Sequence, residues 1–89
     1  MKQVLLKISG TVQGVNFRRE ALREAQGLGI FGWVKNENDG SVSVCAQGED
    51  ADLKAFIDWC SHGPNSAKVI HIEETIQALN ANLKNFKIF

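Results

Sequence analysis

Apolar and polar positions alternate from the start of the chain: Val4, Leu6 and Ile8 fall on one side, Leu5, Lys7 and Ser9 on the other, and the run ends at Gly10. A period of two marks a strand with one buried face. The period then changes. Phe17, Ala21, Ala25 and Leu28 recur at helical spacing, with Arg19, Glu20, Arg23, Glu24 and Gln26 on the other side. This pattern predicts an amphipathic helix with Asn16 as its N-cap and Gly27 and Gly29 at its end. Ile30 to Asn36 reads as a second strand. Asn38-Asp39-Gly40 is a hairpin turn, because these residues tolerate positive φ. Val42, Val44 and Ala46 then alternate with Ser43, Cys45 and Gln47 in a third strand.

A second helix opens near Asp50, with Leu53, Phe56, Ile57 and Cys60 as its apolar stripe, and His62-Gly63-Pro64 stops it. Ala67 to Glu74 is strand-like, but Val69, Ile70 and Ile72 break strict alternation, which implies a bulge. Residues 75–82 carry no clear pattern, and Phe86 and Ile88 form a last short strand. Two helices that each return the chain to a sheet cover one of its faces. The expected class is therefore α+β: a ferredoxin-like βαββαβ sandwich with a mainly antiparallel sheet and a short extra C-terminal strand. No repeat, linker or low-complexity segment interrupts residues 1–89, so one domain is expected.

Composition narrows the function classes. Hydrophobic residues make up 44% of the 89, enough for a core without metal or disulfide staples. Lys+Arg and Asp+Glu are 10 each, so no broad field draws nucleic acid or an anionic membrane. An anionic ligand would need local positive charge. Cys45 and Cys60 have no ligand-spaced partners, and no metal is expected. A disulfide and two buried thiols are both open to them, the second being the plainer reading. Met1-Lys2-Gln3-Val4 leads directly into a strand pattern, with no signal-peptide architecture and no stretch that would span a bilayer. The expected location is the cytoplasm.

The strongest chemical signal is the loop Gly10-Thr11-Val12-Gln13-Gly14-Val15-Asn16-Phe17-Arg18. Its glycines permit a tight fold and close approach of backbone N–H groups to a ligand. Free N–H groups at a helix start, aided by the helix dipole, make an anion site. Arg18 in the first turn opposes that dipole, which makes sense if an anion lies between it and the loop. A plain strand–helix turn with a solvated arginine is the competing reading. No Gly-Lys-Ser/Thr follows and Gly-x-Gly-x-x-Gly is absent, so ATP and NAD have little support.

The same segment resembles the first acylphosphatase signature, G-x-V-Q-G-V-x-[FY]-R. The second, an aromatic-containing G-[FYW]-V-x-N followed by a glycine turn and S/T-V, matches Gly32-Trp33-Val34-Lys35-Asn36 and Asp39-Gly40-Ser41-Val42. Gly48, Gly63-Pro64 and Ala67 also fit. The resemblance implies that Arg18 binds the phosphate and Asn36 positions the attacking water. Backbone N–H groups of Gln13, Gly14, Val15, Asn16 and Phe17 would surround the phosphate oxygens. Asn16 is a departure, since the family often has glycine or a bulky apolar residue there. The implied activity is hydrolysis of acyl phosphates to a carboxylate and inorganic phosphate, without metal or cofactor. Inorganic phosphate would be both product and competitive inhibitor, and the protein a monomer with no nucleic-acid or membrane partner.

The residue types suit that chemistry. Phosphoryl transfer mainly needs positioning and charge stabilisation, and a permanently charged guanidinium supplies both. An asparagine amide holds water but cannot take its proton. Neither signature provides an acid, a base, a nucleophile or a metal ligand, which points to a substrate whose leaving group is already a weak base. His62 and His71 read as surface or structural; Arg19 and Lys35 adjoin the expected site and either raise its local potential or, the plainer reading, are solvated. Trp33 either flanks the site or packs in the sheet, and Cys45 is expected on an open, accessible sheet face.

Two other functions were weighed. An RNA-binding sheet would carry aromatic residues within a basic face, and Val42-Ser43-Val44-Cys45-Ala46 has none. The carbamoyl-phosphate-handling domain of hydrogenase-maturation carbamoyltransferases also resembles this chain, but usually has proline after the signature arginine, where Arg19 stands here.

Overall fold

The computed structural model describes residues 1–89. The chain forms β1 (Lys2–Thr11), α1 (Phe17–Leu28), β2 (Phe31–Asn36), β3 (Val42–Gly48), α2 (Asp50–Cys60), β4 (Lys68–Gln77) and β5 (Phe86–Ile88). The five strands make one sheet in the order β4-β1-β3-β2-β5. Neighbours pair antiparallel except β2 and β5, which run parallel from Gly32↔Phe86 to Val34↔Ile88. The expected ferredoxin-like arrangement and extra terminal strand are both present.

The alternation in the sequence selects the buried face. Val4, Leu6 and Ile8 of β1 and Val42, Val44 and Ala46 of β3 are fully buried. They meet Phe17, Ala21 and Ala25 of α1 and Leu53, Phe56 and Cys60 of α2 in a single core. Phe17 is the largest fully buried side chain of α1, with Leu22 and Leu28 packing at the edge of the core. Its ring lies 5.3 Å from that of Trp59 and is 2% exposed. Burying such a side chain stabilises by about 2–3 kcal/mol. The residue immediately before Arg18 is therefore a firm anchor. Phe86 of β5 packs edge-on against Phe56 at 5.8 Å, fixing the last strand to the same core.

β4 runs three residues past its expected end. Thr75, Ile76 and Gln77 pair with Leu5, Val4 and Gln3. As an outer strand it leaves Ile76 68% exposed, which erases the burial periodicity that would mark it in the sequence. The expected bulge is present: Ser9 pairs with His71 but Gly10 with Val69, leaving Ile70 as the extra residue. Gly10 faces this irregularity with φ +130, and a Cβ there would collide with the Lys68 carbonyl.

Cys45 corrects an expectation. It is 4% exposed, flanked across the sheet by Leu5 and Trp33. Cys60 lies in the helix-side core, and both thiols are free. Burial raises the pKa of each, so neither is an available thiolate.

Candidate active site

Between the end of β1 and the start of α1 the backbone turns back on itself. Gly14 has φ +73, with open space where a Cβ would stand, and Asn16 follows at φ 64, ψ 21. Glycine takes the first conformation without strain, and asparagine is among the few side chains that tolerate the second. Left-handed residues at alternate positions turn neighbouring N–H groups toward a common side, the geometry of a backbone anion nest. No backbone N–H from Gln13 to Arg19 donates to a protein acceptor. The first bond of the helix start is Glu20 N–H to the Asn16 carbonyl at 3.1 Å.

The expectation that Asn16 caps α1 is half right. It occupies the N-cap position but makes no side-chain cap bond. A capping side chain needs an extended backbone to reach the N2 or N3 N–H. The left-handed conformation aims it elsewhere, and Asn16 lines the open cleft instead.

Two side chains tether the loop. Gln13 Nε2 donates to the carbonyls of Glu37 at 2.8 Å and Ser41 at 2.9 Å, joining the loop to the β2–β3 turn. Ser66 Oγ donates to the Val15 carbonyl at 2.9 Å. Gln13 is thus a strut as well as a member of the N–H run, and nothing in its spacing marks that role.

Arg18 is half-buried and its Nη1 donates to the main-chain oxygen of Phe89 at 2.7 Å. Phe89 in turn donates its N–H to Val34 of β2 at 2.9 Å. Two residues further along β2 stands Asn36, paired in the ladder with Val42. One strand therefore carries Asn36 directly and steadies Arg18 through Phe89. The Asn36 Oδ1 is buried and accepts no hydrogen bond from the protein. A buried acceptor of this kind needs a partner.

Gly14, Asn16, Phe17, Arg18 and Asn36 meet at a single cleft of about 360 Å³, with Val12, Arg19 and Ile88 completing its wall. Gln13 and Val15 stand behind the lining. The wall holds two arginines and two asparagines but no Asp, Glu, His or Cys. Arg19, expected beside the site with a solvated side chain, is exposed and borders this cleft. Lys35 does not: it sits 3.8 Å from Glu37 and over the Trp33 ring at 5.4 Å. Trp33 itself packs edge-on against Phe89 at 6.4 Å and does not line the cleft. His62 Nδ1 lies 3.0 Å from the Asp58 carbonyl and His71 Nε2 3.7 Å from Glu73, both exposed and outside the cleft.

The family model described as Acylphosphatase matches residues 4–88. An acylphosphatase of Geotalea uraniireducens is 46% identical over 71 residues, covering 80% of this chain and 78% of that protein. The crystal structure of acylphosphatase from Bacillus subtilis superposes with a TM-score of 0.95 at 34% identity, covering 100% of this chain and 99% of that one. HypF of T. kodakarensis, a far larger chain of which 12% is covered, matches all of this one with a TM-score of 0.86 and 28% identity. With the family match spanning nearly the whole sequence, the chain belongs to the acylphosphatase family.

Proposed function

We propose that the cleft hydrolyses acyl phosphates, with Arg18 and the loop N–H groups holding the phosphate and Asn36 holding the attacking water. The observation that carries this reading is that Asn36 lines the same cleft as Arg18 and the run of free N–H groups. The N–H groups and guanidinium match the oxygens of a phosphate. The Asn36 amide holds a water by a hydrogen bond and leaves a lone pair of that water directed at phosphorus. The water oxygen bonds to phosphorus as the bond from phosphorus to the carboxyl oxygen breaks. The carboxylate leaves with the electron pair, and the water's proton passes to a phosphate oxygen.

The cleft wall offers no side chain to protonate a leaving group. A carboxylate does not need one, whereas an alkoxide does. Substrates with a carboxyl–phosphate anhydride are therefore favoured over monoesters. On the same reading inorganic phosphate competes for the cradle, residues 1–89 act as one domain, and the protein works as a cytoplasmic monomer without metal or cofactor. No helix is long and apolar enough to cross a membrane.

Acetyl, benzoyl, carbamoyl and p-nitrophenyl phosphates assayed side by side test the proposal. Acetyl and benzoyl phosphate should turn over, with inorganic phosphate inhibiting competitively, and the monoester should be far slower. Equal turnover of p-nitrophenyl phosphate would contradict it. Turnover of carbamoyl phosphate alone would favour a carbamoyl-phosphate-handling domain.

A further inference from the structure

The cleft contains a second guanidinium for which the proposed hydrolysis has no use. Arg19 lines the same concavity as Arg18, is exposed, and makes neither a hydrogen bond nor an ion pair. The acid beside it, Glu20, is engaged by Arg23 at 3.2 Å. No Asp or Glu lines the cleft to receive it. Its position in the first turn of α1 is opposed by the helix dipole, so an unpartnered cation there does nothing for the fold.

We propose that Arg19 determines specificity by contacting a second negative charge on the acyl group, so that the preferred substrates are acyl phosphates carrying a further anion. The inference rests on the hydrolase reading above. Successive helical residues point about 100° apart around the axis. Arg18 and Arg19 therefore serve different parts of a bound molecule rather than converging on one phosphate. Arg18 is tied to the main-chain oxygen of Phe89 and lies with the free N–H groups at the phosphate end. Val12 and Ile88 give the cleft an apolar wall suited to the carbon frame of an acyl group, and Arg19 is left for a distal anion.

Benzoyl phosphate compared with its 3-carboxy and 4-carboxy derivatives provides the test. A ring carboxylate changes the basicity of the leaving carboxylate little, so the ratio of kcat/KM values reports recognition. Wild-type protein should favour at least one charged derivative at low salt. Arg19→Gln should lower that preference about two- to fivefold, chiefly through KM, the size expected of an exposed ion pair. Arg19→Lys should retain most of it, and high salt should erase it. An unchanged ratio in Arg19→Gln would overturn the proposal. So would an equal loss on neutral and charged substrates, since Arg19 would then serve the phosphate. Wild-type protein that leaves benzoyl phosphate intact would instead overturn the hydrolase reading beneath it.

Discussion

Arg18 Nη1 donates to the main-chain oxygen of Phe89 at 2.7 Å, across 71 positions of sequence. The contact fixes a flexible side chain at the mouth of the cleft by way of the backbone of the last strand. Phe89 is itself held by the Val34 carbonyl at 2.9 Å and by the Trp33 ring at 6.4 Å. A guanidinium that arrives already oriented loses less entropy on binding phosphate.

Removal of Phe89 should therefore lower kcat/KM for benzoyl phosphate by about 10- to 100-fold, the scale of a misplaced catalytic group. Phe89→Ala keeps the main-chain oxygen and the N–H, so it should cost much less. Steady-state kinetics on both variants check this. Equal losses would mean that the ring, not the main-chain oxygen, holds Arg18.

Gln13→Ala removes two hydrogen bonds and leaves the Glu37 and Ser41 carbonyls without that donor. Stability should fall by about 1–3 kcal/mol. KM should rise as well, because the loop loses its strut to the β2–β3 turn. Urea titration and kinetics together separate the two effects.

That turn depends on pH through Asp39. Its carboxylate accepts from the Ser41 hydroxyl at 2.6 Å and the Ser41 N–H at 2.9 Å, and faces Lys7 Nζ at 3.0 Å. These contacts, the Ser41 hydroxyl foremost, hold the Asp39 carboxyl well below the usual carboxylate range. A pKa depressed on folding means that the stabilisation is present above the unfolded value, about 3.9, and is lost as pH falls toward the folded one. Asp39→Asn should be less stable than wild type near neutrality, and the gap should stay constant down to about pH 5 and narrow as pH falls further toward the folded pKa. Thermal melts across that range check the sign. A gap that never narrows would remove the titration from the explanation.

Much of the fold was legible because one sheet face and two helix stripes are buried, and burial writes a period into the sequence. Val4, Leu6, Ile8 and the stripe Leu53, Phe56 and Cys60 are where alternation and helical spacing place them. β4 was read short because its outer position leaves Ile76 exposed and without a period. The loop and Asn36 were visible through their signatures. Their supports were not. Phe89 acts through its backbone, so its side chain carries no signal of the bond to Arg18. Asn16 takes the expected N-cap position without a cap bond, because asparagine suits both an N-cap and a left-handed turn and residue type alone does not separate them. Cys45 was read as accessible because strand alternation gives the face but not the bulk of neighbours such as Leu5 and Trp33.

Asn36→Ala, assayed for benzoyl phosphate turnover and inorganic phosphate binding on the same folded sample, is the most direct test of the cleft's chemistry. With the water-holding amide gone, kcat should fall by about 10²- to 10³-fold, the scale of losing one positioned polar group. Phosphate affinity should stay close to that of wild type, because Arg18 and the loop N–H groups remain. Near-normal turnover, or collapse of phosphate affinity together with activity, would contradict the assignment of water to Asn36 and phosphate to Arg18.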